Sequence, residues 1–204
     1  MKDLVYQFHI KLLGIEPMIW RRIQVPAKFS FWDLHVAIQD SMGWLDYHLH
    51  AYRVRQKYKK KPIEIGIPQD EWDGEDVIPG WEATVSDYFT ELGQTMEYEY
   101  DFGDGWEHEL LFEGILLKEK DASYPRCIDG ARACPPEDCG SIPGYYNLLE
   151  ILSNPHHPEY EDHVEWLKGH AKNYHPYDPE QFSPQDVQFD NPKKRWKLAF
   201  QDIG

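Results

Sequence analysis

A chain of 204 residues, 41% of them hydrophobic and 15% aromatic, is long enough for one sizeable domain that buries roughly 70% of its unfolded surface. Its 36 acidic and 21 basic side chains leave a formal charge of −15, which argues against nucleic acid as a partner, because phosphate is bound largely through Lys and Arg. No apolar run approaches the ~20 residues that span a bilayer, and the N-terminus shows a strand pattern with no secretory h-region, so a cytoplasmic protein without a membrane partner is expected.

Residues 4–13 alternate, with Leu4, Tyr6, Phe8, Ile10 and Leu12 on one face, as a half-buried strand does. Gly14-Ile15-Glu16-Pro17 turns the chain, and residues 18–25 return as a second strand closed by Pro26. Arg21 and Arg22 point to opposite faces of it, so the acidic hairpin described below is expected to hold at least one of them. Ser30-Phe31-Trp32-Asp33 matches a capping box, and Phe31, Leu34, Ile38 and Met42 follow at helical spacing up to Gly43. His35, beside that stripe, reads as a hydrogen-bonded core residue.

Residues 46–54 read as a third strand that puts His48, His50 and Tyr52 on one side. Two histidines at i, i+2 on a strand can share a metal ion, but spacing alone is weak evidence and polar packing is the preferred reading. Residues 55–83 read as an irregular excursion containing an acidic run, 70–76, which lacks the alternating ligands of a calcium loop. Two short basic runs, 53–61 and 193–197, read as solvated edges rather than phosphate tracks. Thr84-Val85-Ser86-Asp87 repeats the capping pattern, ahead of a short helix closed by Gly93.

The next stretch organises the chain. It is a hairpin, Met96 through Leu110 around Gly103-Asp104-Gly105, followed by a cysteine loop from Tyr124 to Gly140. A two-residue Asp104-Gly105 turn would scatter the side chains over two mixed faces. A three-residue Gly103-Asp104-Gly105 loop, with Gly105 left-handed, pairs Phe102 with Trp106, Tyr100 with His108 and Tyr98 with Leu110. That register gives one aromatic face carrying His108, and sets Glu97, Glu99 and Asp101 against Glu107 and Glu109. The second strand runs to about Leu117, and the cysteine loop is too rich in Pro and Gly for regular structure. Two helices, 145–152 and 158–167, and a last one after Asn191-Pro192 complete the chain. The order β-β-α-β-α-β-β implies an α+β fold, a mostly antiparallel sheet with helices on one face. We expect a core domain over 1–150 and a C-terminal helical extension over 151–204 packed on it.

Cys127, Cys134 and Cys139 are spaced C-x6-C-x4-C, an odd number without a secretory signal. Three thiolates and one imidazole, from His108, His48 or His50, make a tetrahedral zinc site, so zinc is the candidate cofactor. The spacing lacks paired C-x-x-C knuckles, so buried thiols within a stiff loop are the preferred reading, with a redox-labile pair among the three as a further alternative. Asp101, Asp104, Glu107 and His108 crowd a tight turn, where carboxylates beside a histidine supply an acid/base pair or a metal site. Asp101 and His108 are therefore the catalytic candidates, and His48, His50, Tyr100, Asp104 and Trp106 the binding candidates.

The residues Ile19-Trp20-Arg21-Arg22-Ile23-Gln24-Val25-Pro26, Phe31-Trp32-Asp33-Leu34-His35, Met42-Gly43-Trp44, His48-Leu49-His50, Tyr98 through His108, and Tyr124-Pro125-Arg126-Cys127 to Cys139-Gly140 resemble the plasmid pRiA4b ORF-3-like family over about residues 4–150. Ser141 departs from the pattern, which usually has a second glycine there. The resemblance implies a compact α+β domain, mainly prokaryotic. Some members carry a resolvase-like label, but recombination needs a Ser or Tyr nucleophile among arginines on a basic surface, and no such signature is present here. The leading expectation is a protein that binds a small ligand or a protein partner in a pocket between the hairpin, the His48/His50 strand and the cysteine loop. A metal-dependent hydrolase using His48, His50, Asp101 and His108 is the alternative, and a nucleic-acid-associated role the minor one.

Overall fold

The computed structural model describes residues 3–55, 61–68 and 77–200. Strands β1 (Leu4–Leu12), β2 (Trp20–Pro26), β3 (His50–Val54), β4 (Ile63–Gly66), β5 (Ile78–Pro79), β6 (Thr95–Tyr100), β7 (Trp106–Leu117) and β8 (Arg126–Ala131) form one sheet in the order β5-β4-β3-β6-β7-β1-β2-β8. Only the β4–β5 pair is parallel, so the sheet is mostly antiparallel. The helices are α1 (Phe31–Met42), the one-turn α2 (Val85–Tyr88), α3 (Ser141–Ser153), α4 (Tyr160–Gly169) and α5 (Pro192–Phe200). The fold is α+β, as the element order implied.

The sheet is two-faced because its strands alternate. Tyr6, Phe8, Ile10 and Leu12 of β1 are buried with Tyr98, Tyr100, Trp106, Leu110 and Phe112 of the hairpin, a set of large aromatic surfaces that dominates the hydrophobic gain. α1 covers this face through Phe31, Leu34, Ala37 and Ile38. Its capping box is complete: Ser30 Oγ accepts from Asp33 N at 3.1 Å, and Asp33 Oδ2 accepts from Ser30 N at 3.0 Å. At the other end Gly43 takes a left-handed φ of 91° and donates to Gln39 O.

The opposite face is charged and internally paired. Between Gln7 and Phe8 the β1–β7 register slips by one, leaving Glu113 as the extra residue. Its carboxylate takes Arg22 Nε at 2.7 Å and Gln7 Nε2 at 3.0 Å. Arg22 is thus held by the hairpin's second strand, whereas Arg21 points into the protein with 1% of its surface exposed. The facing acids Glu97↔Glu109 and Glu99↔Glu107 are offset by Arg53 on Glu99 and Arg55 on Glu97, each at 2.5 Å. Those arginines belong to the first basic run, whose residues 56–60 lie outside the described residues, as does the whole acidic run 70–76.

Four expectations are corrected. The excursion over 55–83 contains β4 and β5, because Ile63 and Ile65 pair onto β3. The cysteine loop opens with a strand, β8, paired antiparallel to β2. The helix expected after Thr84 ends at Tyr88, since the Gln94 side chain bonds Tyr88 O and Thr90 N and turns the chain early. The hairpin register is shifted by two, pairing Tyr100 with Trp106 and Tyr98 with His108. A shift of two keeps every side chain on its face, so the aromatic face survives while Phe102 is left 47% exposed in a five-residue turn.

The tail returns to the core at several points: Trp32 Nε1 donates to Pro192 O at 3.0 Å, Tyr177 Oη to Cys134 O at 3.0 Å, and Arg195 meets Asp40 at 2.8 Å. α3 runs across position 150, where the core was expected to end. Among the described residues, no helix is long and apolar enough to cross a membrane.

Removing the capping hydroxyl should weaken α1 at its root. We expect Ser30→Ala to lower the unfolding free energy by about 1 kcal/mol, read as a lower urea midpoint with unchanged slope; an unmoved midpoint would count against the cap as a stabilising contact.

Candidate functional site

Three segments far apart in the chain meet at the hairpin turn. The first is the lead-in to β3. Asp46 adopts a left-handed φ of 64°, which a short polar side chain tolerates, and its Oδ1 lies 2.7 Å from His35 Nε2. The bend delays β3 to His50, so the strand expected from residue 46 is shortened. His48 falls outside it and turns toward the hairpin, while His50 stays inside. The second segment is the turn itself. Asp101, at φ 57°, accepts from Gly103 N at 2.9 Å and Asp104 N at 3.3 Å through Oδ1, an Asx turn closed by Gly105 N on Asp101 O at 2.6 Å. Asp101 Oδ2 is left over and lies 3.6 Å from His48 Nε2.

The third segment is the cysteine loop. Asp104 Oδ2 accepts from Gly140 N at 3.2 Å, which ties loop to turn. Asp138, left-handed at φ 58°, brings Oδ1 to 3.1 Å from His48 Nε2, and its other oxygen lies 4.0 Å from His170 Nε2. The ligand atoms of His48, Asp101 and Asp138 all lie within 4.8 Å of one another. His48 Nε2 is shut off from water yet makes no aligned hydrogen bond. One imidazole nitrogen and two carboxylate oxygens suit a borderline divalent cation such as Zn²⁺, Mn²⁺ or Fe²⁺. Asp101 is 7% exposed and Asp138 is exposed, so the group opens to solvent on the loop side.

Glu137, one residue earlier, is 1% exposed. It accepts the Tyr100 hydroxyl proton and Leu45 N at 2.8 Å, and Tyr100 Oη accepts from Tyr47 N at 3.1 Å. Burial, with Glu137 beside it, pushes the Tyr100 hydroxyl far above its ordinary value, so Tyr100 stays protonated as a brace. Ser141 occupies a left-handed φ of 64°, the conformation in which glycine is unstrained.

The other sequence candidates go elsewhere. His50 is buried with its ring stacked on His35 at 3.5 Å between centroids. His108 is fully buried edge-on to Trp44, its Nδ1 3.3 Å from Tyr98 O, and Trp106 packs against Trp44 beside it. The thiols do not converge on one point. Cys127 bonds Asp129 O at 3.4 Å, and Cys134 is buried against Met42 Sδ at 3.7 Å. Cys139 lies near Asp104, with burial pushing its thiol up to about 12. Among the described residues, the group able to hold an ion contains His48 and Asp101 but no sulfur, His50 or His108. Sequence reasoning missed Asp138 and His170. The only signal for Asp138 was an Asp beside Cys139-Gly140 in a turn-rich loop, and nothing marked His170.

The family model described as "Plasmid pRiA4b ORF-3-like protein" matches residues 4–186. The chain is similar to the uncharacterized protein y4hQ of Sinorhizobium fredii (strain NBRC 101917 / NGR234), 31% identical over 163 residues, 79% of this chain and 80% of that protein. It is also similar to the crystal structure of MM3350, a protein of unknown function from Methanosarcina mazei Go1. There the identity is 41% and the TM-score 0.81, over 93% of this chain and 100% of that one. The family resemblance carried by the motifs therefore holds, and extends past residue 150.

Burial makes His108 an acid-labile element. Desolvation lowers its pKa from 6.5 to about 4, partly countered by backbone hydrogen bonds, and burial also lowers His50. The unfolded chain binds these protons first, so stability is complete above about pH 6.5 and falls on acidification toward about pH 4. His108 alone accounts for roughly 3 kcal/mol of that loss. Urea unfolding across this range should show His108→Leu losing up to about one proton of the pH slope; an unchanged slope would mean that the ring is already charged in the fold.

Proposed function

This chain belongs to the plasmid pRiA4b ORF-3-like family, and we propose that it binds a divalent metal ion and, through it, a small ligand at the junction of hairpin turn, β3 lead-in and cysteine loop. The observation that carries this reading is the convergence of His48 Nε2 with oxygens of Asp101 and Asp138 within 4.8 Å, from three segments with no local reason to meet. Two of the three donors sit on left-handed backbone, which short polar Asp side chains tolerate and which turns both carboxylates toward His48. His170, 4.0 Å from the second oxygen of Asp138, stands where an orienting partner of a ligand belongs.

The site adjoins two hollows. His48 lines one of about 710 Å³ with Trp32, Trp44 and residues of α5. Asp138 lines another of about 330 Å³ with Cys139, Leu148, His163 and Trp166. Both volumes fall within the range of small-ligand sites. Three protein donors leave coordination positions open toward the exposed side of Asp138, as in catalytic centres. That openness supports metal-dependent hydrolysis as the second reading, now on His48, Asp101 and Asp138.

Elemental analysis of tag-free protein and calorimetric titration with Zn²⁺ and Mn²⁺ test the proposal. We expect one ion per chain, with His48→Ala and Asp138→Asn each weakening affinity by at least about 100-fold, and Cys127→Ser leaving it unchanged. Failure of both ions to bind in saturable fashion, or equal binding by His48→Ala, would sink it. Chelator-sensitive cleavage of a nitrophenyl ester or phosphodiester would establish the hydrolytic reading, and its absence in metal-loaded protein would remove it.

A further inference from the structure

On the other side of the cysteine loop lies a cavity of about 600 Å³ whose walls include Arg21, Lys172, Cys134, Tyr174, Tyr177 and Phe182. Arg21 is its anomaly. Every other arginine of this strongly acidic chain is ion-paired to at least one carboxylate. Arg21, at 1% exposure, has none among the described residues. Its Nε donates to Ser41 O at 2.8 Å, and Nη1 donates to Trp20 O at 2.8 Å and Ala131 O at 3.0 Å. Phe182 covers the guanidinium at 3.6 Å from the ring centroid. Both Nη2 protons lack a partner among the described residues.

The groups that face Arg21 do not neutralise it. They are Cys134, Cys127 and Tyr177. Burial pushes the Cys134 thiol up to about 12 and raises Cys127 and Tyr177 as well, so all three are uncharged at neutral pH. Ser41 O belongs to the last turn of α1, whose dipole supplies only about half a negative charge. Lys172, exposed along its stem, reaches in to bond Gly43 O and is close enough to Arg21 for the two cations to oppose each other. The acids on the same wall are Asp40, Asp178 and Asp186. Asp40 is taken by Arg195 and by Asp190 N, each at 2.8 Å, and Asp178 Oδ1 by Glu180 N at 2.9 Å; Asp186 makes no ion pair with either cation. Glu137, whose carboxyl also faces Lys172, is held by Tyr100 and Leu45.

A buried, unneutralised guanidinium with an open edge is costly to keep unless something charged completes it. We propose that this cavity binds a small organic anion, whose carboxylate or phosphate oxygens accept from Arg21 Nη2 and Lys172 Nζ while its apolar body lies against Phe182, Tyr174 and Tyr177. A forked pairing to guanidinium suits either oxyanion, and the volume admits a metabolite-sized molecule. The site is separate from the metal group and does not rest on it.

The full chain, in chloride-poor buffer, is titrated separately with inorganic phosphate and with benzoate, by calorimetry and thermal melting. We expect saturable one-to-one binding of at least one of them, with a melting temperature that rises with occupancy; which one binds tells phosphate from carboxylate chemistry. Lys172→Gln should melt like the wild type without ligand and bind about 10-fold more weakly, a difference of about 1.4 kcal/mol. Arg21→Met should not bind at all; if it fails to fold, Lys172→Gln carries the test. His48→Ala should bind the anion as the wild type does. Absence of saturable binding by both probes, or full affinity in Lys172→Gln, overturns the proposal.

Discussion

Glu137 is a carboxylate with almost no access to water, held by the Tyr100 hydroxyl from the hairpin and by Leu45 N from the segment after α1. A buried carboxyl group is tolerable only while its hydrogen-bond partners stay in place, since leaving it unsatisfied costs about 1–3 kcal/mol or more. The contact therefore fastens the cysteine loop across the sheet end. Its immediate neighbours inherit their positions from it. Asp138 is presented to His48 on one flank, and Cys134 and Pro135 line the Arg21 cavity on the other. Trp44 Nε1 on Pro135 O at 3.0 Å and Gly140 N on Asp104 reinforce the same clamp.

Charge is distributed around this clamp with a consistent logic. On the outer face of the sheet, Glu113, Glu99 and Glu97 are paired with arginines that stay partly solvated, where each pair contributes little. Inside, imidazoles serve as packing surfaces: His35 and His50 stack, and His108 meets Trp44, with burial lowering the pKa of His50 and His108. Two groups border the loop: His48 Nε2 with the carboxylates of Asp101 and Asp138 on one side, and Arg21 with Lys172 on the other. One loop thus separates a corner lined by one imidazole and two carboxylates from a hollow lined by two cations.

Much of this was legible from local pattern. Period-two alternation placed Leu4 through Leu12 correctly, because a half-buried strand cannot hide which side faces the core. The Ser30–Asp33 box gave the start of α1 and Gly43 its end. The hairpin's aromatic face was recovered even though its pairing was off by two, since parity alone decides the face. The turn length was not recovered. Asp101 folds its own carboxylate onto Gly103 N and Asp104 N, a choice that alternation does not record. β8 was hidden because Gly130 and the nearby prolines mask a strand that exists only by pairing with β2.

By itself, the sequence determined the α+β class, the buried face of each long strand and the three segments from which a site would be built, because these follow from periodicities and caps spanning a few residues. Only the tertiary structure decided which side chains meet. His48 was separated from His50 by one left-handed Asp46, Asp138 was brought to Asp101 from the cysteine loop, and the sulfurs were left out of the group. Among the described residues it also left Arg21 without a carboxylate while every other arginine found one. Such convergences depend on single backbone torsions and on long-range closure, and neither leaves a repeating signature in the order of residues.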